Sequence, residues 1–327
     1  MSLGQYAVSG PGLVLTEATH VSAAGRITHR CLGLYSDENE AALKRLVAFY
    51  RAYGASPLGT QLAHAGRKAA TNVPWEGSGP ASGAHAWTVL APSALPFDEG
   101  WHLPHALSRD EMRAVRDEFV EATKRAARID LDVIELHGAH GYLLHQFLSP
   151  LSNVRDDEYG GSRANRMRFP LEVFAAVRGA WPDQKPLGIR ISATDFAEGG
   201  WTLEDSIAFA HELRGLGCDF IDVSGGGLSP KQRIDIFPGY QAEFAGAIRR
   251  ATGVPTIAVG RIDDPAFAES LIEDGVCDAV AVARAFIRHP RFVWDAADSL
   301  GATAYCAPQY LRGRTLGAHD VVRPVSS

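Results

Sequence analysis

The chain has 327 residues, 46% apolar and 21% charged, which is the balance of a globular protein long enough to bury a core without disulfides or structural metal. A net charge of −6 argues against nucleic acid as the main partner, and no apolar run approaches membrane-spanning length. The N-terminus lacks a basic-then-apolar leader, and Cys31, Cys218, Cys277 and Cys306 are scattered without metal or cluster spacing, so the expectation is a cytoplasmic protein with free thiols.

In chain order, a helix over residues 3–9 leads to a strand at residues 13–16 (LVLT). Asp37-Glu38-Asn39-Glu40 has capping-box spacing and opens a helix whose Leu43, Leu46, Val47 and Tyr50 share one face, with Gly54 at its end. A strand follows at residues 58–62. Residues 69–105 form a long segment rich in Gly, Pro and Trp, and loops of that length are usually functional or mobile. Ser108 and Glu111 repeat the capping box before Met112, Val115 and Phe119. Strands then fall at residues 133–136 (VIEL), 187–191 (LGIRI), 220–223, 256–259 and 279–282. Between them, Thr202 to Asp205 opens one helix and Asp264-Pro265 another, which Gly275 ends. The strand runs show no strict alternation, as expected of strands buried on both faces. Strand–helix units of roughly 30 residues imply a parallel α/β architecture in one domain spanning residues 1–327, with a tail from residue 314.

The residues richest in chemistry follow the 133–136 strand: His137-Gly138-Ala139-His140-Gly141-Tyr142. In a (β/α) barrel, groups at the C-terminal ends of strands converge on one mouth. Two imidazoles three residues apart can aim N–H groups at a single oxygen and polarise a carbonyl, and Tyr142 adds a phenolic proton donor. A metal site with His145 as third ligand is a competing reading, although no carboxylate cluster follows at ligand spacing; satisfied structural histidines are another.

The stretch from His137 to Phe169, HGAHGYLLHQFLSPLSNVRDDEYGGSRANRMRF, resembles the signature of the old yellow enzyme family of FMN-dependent ene-reductases. QLAHAGR at 61–67, LTEA at 15–18, Trp75-Glu76-Gly77 and Ala91-Pro92-Ser93 fit the same family, so the resemblance runs from about Leu3 to Gly313. It implies a TIM-type (β/α)8 barrel holding FMN, with NADPH or NADH as hydride donor and an α,β-unsaturated carbonyl compound as small-molecule substrate. His137 and His140 would bind the substrate oxygen and Tyr142 would protonate the α-carbon. Ala18 and Gln61 would contact the flavin ring, and Arg190 would lie near its N1 and C2 oxygen. Gly260, Ala283 and Arg284 would receive the phosphate, Ala283 standing where the family often has glycine. Arg312, in a C-terminal pattern typical of one subgroup, would reach a neighbouring subunit in a homo-oligomer, unless it is simply a solvated tail residue.

The sequence departs from the family at its start, because the first barrel strand has no counterpart before the 3–9 helix. An upstream start, a partner chain, or a return of the tail at residues 320–325 would each fill that slot. The alternative to an active ene-reductase is an impaired flavin-binding barrel that holds a ligand or partner.

Overall fold

A computed structural model describes residues 2–313. Helix α1 (Ser2–Ala7) leads into β1 (Val14–His20), α2 (Asp37–Tyr53) and β2 (Leu58–Ala63). The long segment that follows carries the two-residue strands β3 (Leu90–Ala91) and β4 (His105–Ala106), which pair in parallel. Next come α3 (Arg109–Arg128), β5 (Val133–Gly138), α4 (Leu143–Leu148), α5 (Arg163–Ala180), β6 (Leu187–Ser192), α6 (Leu203–Gly215) and β7 (Phe220–Ser224). The described chain closes with α7 (Ala242–Thr252), β8 (Thr256–Ala258), α8 (Pro265–Glu273), β9 (Ala279–Val280), α9 (Arg284–Arg288) and α10 (Phe292–Leu300).

Seven strands form one parallel sheet in the order β1-β2-β5-β6-β7-β8-β9, with helical crossovers outside it. The parallel architecture follows the strand–helix rhythm, and the TIM-type barrel is the one the family resemblance implies, with seven barrel strands among the described residues. The helix starts follow from their caps: Ser36, Ser108, Thr202 and Asp264 each accept a backbone N–H of the first turn. Alternation within the strands divides two environments. In β5, Ile134 and Leu136 join the apolar core, while Glu135 and His137 alternate with them on the other face. Arg190 and Ser192 in β6, and Asp222 and Ser224 in β7, continue that polar face.

Most strand ends shift by one or two residues from expectation, and two shifts bear on the barrel's edges. β1 runs on to His20, past a register shift between Leu15 and Ala18. β9 stops at Val280 rather than Val282, and residues 281–284 are largely exposed before α9. No strand among the described residues pairs with the outer edge of β1 or β9. The two edges meet instead through helical segments: Tyr6 packs edge-on against Phe286 at 5.5 Å, and Arg291 donates to Ser9 Oγ at 2.8 Å. The tail proposed for the slot lies outside the described residues.

Candidate active site

The turn after β5 is held from three sides. His140 has φ of +56° and Gly141 of +73°. A Cβ on Gly141 would come within 2.2 Å of the Gly227 carbonyl, so this position requires glycine. Lys68 Nζ donates to the carbonyls of His140 and Gly227, both at 2.9 Å. Burial, then the Arg67 charge, lowers its ammonium to about 8. Gln146 Nε2 donates to the carbonyls of Gly141 at 2.7 Å and Ala65 at 3.1 Å. Behind the turn, His145 Nδ1 accepts the Gly141 N–H at 2.9 Å, which leaves the ring proton on Nε2, 2.8 Å from Asp195 Oδ1 but without a well-directed hydrogen bond. Both side chains are fully buried. Ser149 and the Trp201 N–H satisfy the other Asp195 oxygen.

On this turn the His137 and His140 rings stand 5.1 Å apart, and the Tyr142 ring is 4.9 Å from His137. Burial, reinforced by neighbouring imidazoles and by Arg190, holds the His137 pKa well below 6.5, and burial with Arg190 and Lys68 does the same for His140. Both rings are therefore neutral at pH 7. His137 Nδ1 accepts the Ala139 N–H at 3.3 Å, so its proton is on Nε2. The His140 backbone N–H donates to Ser192 Oγ at 2.9 Å, and its ring sets Nε2 2.7 Å from Ser224 Oγ. Burial, with Cys31 nearby, pushes the Tyr142 phenol up to about 12. Its hydroxyl has no hydrogen-bond partner among the described residues.

Below the turn lies a charged row. Strand register aligns Ala18 with Gln61 and Gln61 with Glu135, then His137 with Arg190 and Arg190 with Asp222. Gln61 Nε2 donates to Glu135 Oε1 at 2.7 Å, leaving the amide oxygen as an open acceptor. Arg190 Nε stands 3.2 Å from Asp222 Oδ2 without a well-directed hydrogen bond. Glu135 is fully buried, with Oε2 unpartnered. Burial and then the Asp222 charge raise its pKa far above the ordinary carboxylate range.

Gly260, Ala283 and Arg284 lie just past the ends of β8 and β9. Gly260 has φ of +115°, and Arg284 is exposed with no ion pair among the described residues. Arg312 is exposed on the last described turn, Pro308–Gly313. A cavity of about 770 Å³ opens beside Lys68, lined by Arg67, Phe97, Asp98, Phe196, Glu198 and Arg233 among others. The imidazoles and Tyr142 do not line it. Among the described residues no three His, Cys, Asp or Glu side chains form a metal-binding group. No helix among them is long and apolar enough to cross a membrane.

A sequence model of the NADH:flavin oxidoreductase / NADH oxidase family matches residues 4–301. The chain belongs to that family. It is 42% identical over 307 residues to an NADPH dehydrogenase of Geobacillus sp. (strain WCH70), covering 94% of this chain and 85% of the relative. Among solved structures, morphinone reductase in complex with tetrahydroNAD superposes with a TM-score of 0.74 at 27% identity, covering 94% of this chain and 83% of that one. A 2-naphthoyl-CoA reductase complex superposes at 0.80 and 23% identity, and there the chain spans less than half of its neighbour, 46%. This protein is therefore an NAD(P)H-dependent FMN oxidoreductase of the old yellow enzyme type.

The residues present fit FMN. A single guanidinium, Arg190, has an N–H without a well-directed partner on a polar sheet face, suited to an electron-rich ring edge. Gln61 offers an amide oxygen, and exposed Arg261 and Arg284, neither with an ion pair among the described residues, mark the end where a phosphate would be neutralised.

Several side chains in this network escaped the sequence reading. Lys68, Ser192, Ser224, Glu135, Asp222 and Asp195 carry no motif by themselves. The signal for Glu135, Asp222 and Ser224 was present in the two-residue spacing of polar groups along otherwise apolar strands. Much of the long signature is scaffold: Arg155 donates to the carbonyls of Pro92 and Leu107, and Asn153 to those of Phe147 and Tyr159.

Proposed function

We propose that this enzyme reduces the activated C=C bond of α,β-unsaturated carbonyl compounds at the expense of NAD(P)H. The observation that carries the reading is the pair of neutral imidazoles 5.1 Å apart, beside a phenol whose hydroxyl has no partner among the described residues. FMN, when bound, supplies two-electron chemistry, taking hydride from the nicotinamide and giving it to the acceptor. His137 presents Nε2–H to the substrate carbonyl oxygen and His140 flanks the same oxygen, so charge developing there is met by fixed dipoles in a buried site. Neutral rings suit this work, because they polarise the carbonyl without giving up a proton. Tyr142 donates the proton that completes the saturated α-carbon, and its raised pKa keeps it protonated until that step.

Ala18 and Gln61 contact the ring of the cofactor in this reading, Arg190 its electron-rich edge, and Gly260, Ala283 and Arg284 its phosphate. A homo-oligomer in which Arg312 enters a neighbour's site extends the proposal to quaternary structure.

The test is an anaerobic assay of the FMN-loaded protein with NADPH or NADH and 2-cyclohexenone. Stoichiometric formation of cyclohexanone supports the reading. NADPH oxidation that continues unchanged without the enone, with no saturated ketone formed, contradicts it.

A further inference from the structure

His140 is wired to Gln241 through one hydroxyl. Its Nε2 stands 2.7 Å from Ser224 Oγ, and Ser224 Oγ stands 3.1 Å from Gln241 Oε1. A hydroxyl has one proton to give. The amide oxygen can only accept, so Ser224 donates to Gln241 and must accept the Nε2–H of His140. A neutral imidazole carries one ring proton, so Nδ1 then holds a lone pair. Nδ1 has no partner among the described residues and is the nitrogen left open to a ligand. A lone pair there repels a carbonyl oxygen. Protonating the ring would supply a second N–H, but burial and the Arg190 and Lys68 charges oppose it.

The same heavy atoms support the opposite polarity. Turning the Gln241 amide by half a revolution places Nε2 against Ser224 in nearly the same volume. Gln241 then donates to Ser224, Ser224 donates to His140 Nε2, and the ring proton resides on Nδ1. The other end of the amide faces Gly260, where any Cβ would lie 2.8 Å from Gln241 Nε2. That Nε2 has no protein partner among the described residues, so neither orientation is locked. His137 has no such freedom, because the Ala139 N–H fixes its tautomer.

We propose that Ser224 and Gln241 form a tautomer relay that turns His140 from acceptor to donor when a carbonyl oxygen enters the site. Nδ1 takes a proton from water and Nε2 returns one to water, so charge and proton count are unchanged. Ser224 and Gln241 are positioning residues acting through His140. The relay rests on the carbonyl-binding reading for its ligand.

The test uses FMN-loaded protein with 15N-labelled histidine, whose long-range 1H–15N correlations separate protonated from bare ring nitrogens. Oxidised protein does not turn over, so 2-cyclohexenone serves as the probe. The expected result is Nε2–H on His140 in the free protein and Nδ1–H with the enone bound. At a pH where its carboxyl is ionised, Gln241→Glu presents only acceptors, so it should hold Nε2–H throughout and bind the enone about tenfold more weakly. If that variant does not fold, the two wild-type spectra decide the matter. Nδ1–H before the enone is added, Nε2–H after it, or a folded Gln241→Glu protein that inverts like the wild type would each overturn the relay. An inverting His140 in a protein that never reduces the enone would leave the relay standing and remove the ene-reductase reading instead.

Discussion

At the ends of β5, β6 and β7 the polar groups largely satisfy one another: Lys68, Gln146, His145–Asp195 and Ser192 all hold one turn. At the ends of β8 and β9 the strands are only three and two residues long, and the exposed Arg261 and Arg284 have no ion pairs among the described residues. The difference separates two ways of building a site. The corner that would hold a carbonyl is organised before any ligand arrives, so its donors need no rearrangement of the backbone. The corner proposed to hold a phosphate has exposed cations with few partners among the described residues, so FMN is expected to order it on binding.

The comparison breaks most visibly at the buried pair. Asp195→Ala leaves the Ser149 hydroxyl and the Trp201 N–H without their shared acceptor and removes the carboxylate 2.8 Å from the buried His145 ring, and should cost about 3–5 kcal/mol in urea unfolding. A loss near zero would mean that the turn is not held from behind.

The cofactor end predicts the next effect. FMN at about 100 times its Kd should stabilise the fold by about 2.7 kcal/mol. The gain in amide-exchange protection should concentrate in residues 258–290 and be small at residues 137–146. Equal protection at both corners would erase the distinction.

Arg284→Ala sharpens it further. FMN should bind about tenfold more weakly, from the loss of one charge-assisted contact, while stability without FMN stays the same. A destabilised FMN-free protein would show that Arg284 is part of the scaffold.

The most delicate effect concerns Glu135. Its carboxyl is raised in the folded state, so the native protein keeps a proton that the unfolded chain releases. Stability from this group is complete below the ordinary carboxylate range and is lost as pH rises from there through the raised folded value. Stability measured across that span should fall with rising pH, and Glu135→Gln should flatten the slope. An unchanged slope would assign it elsewhere.

The strands that build the organised corner were the legible ones. Runs such as residues 133–136 and 187–191 are buried on both faces, and their apolar composition survives without context. The end of β9 was overestimated because a short apolar run reads as a strand even where no neighbour covers it. His137, His140 and Tyr142 were legible because a motif places them on one turn. Lys68 and Gln241 were not, since what makes them matter is distance in the chain: Lys68 meets the Gly227 carbonyl 159 residues away. α4 and α5 were hidden inside the signature, where the motif drew attention from periodicity.

Tyr142, as the proposed proton donor beside the imidazole pair, is the residue on which the chemistry turns. The most direct measurement is stopped-flow kinetics of Tyr142→Phe, followed separately for flavin reduction by NADPH and for reoxidation by 2-cyclohexenone. The prediction is a reduction rate like that of the wild type and a reoxidation rate lower by about 100-fold or more. Reoxidation at the wild-type rate would contradict it and remove Tyr142 from the chemistry.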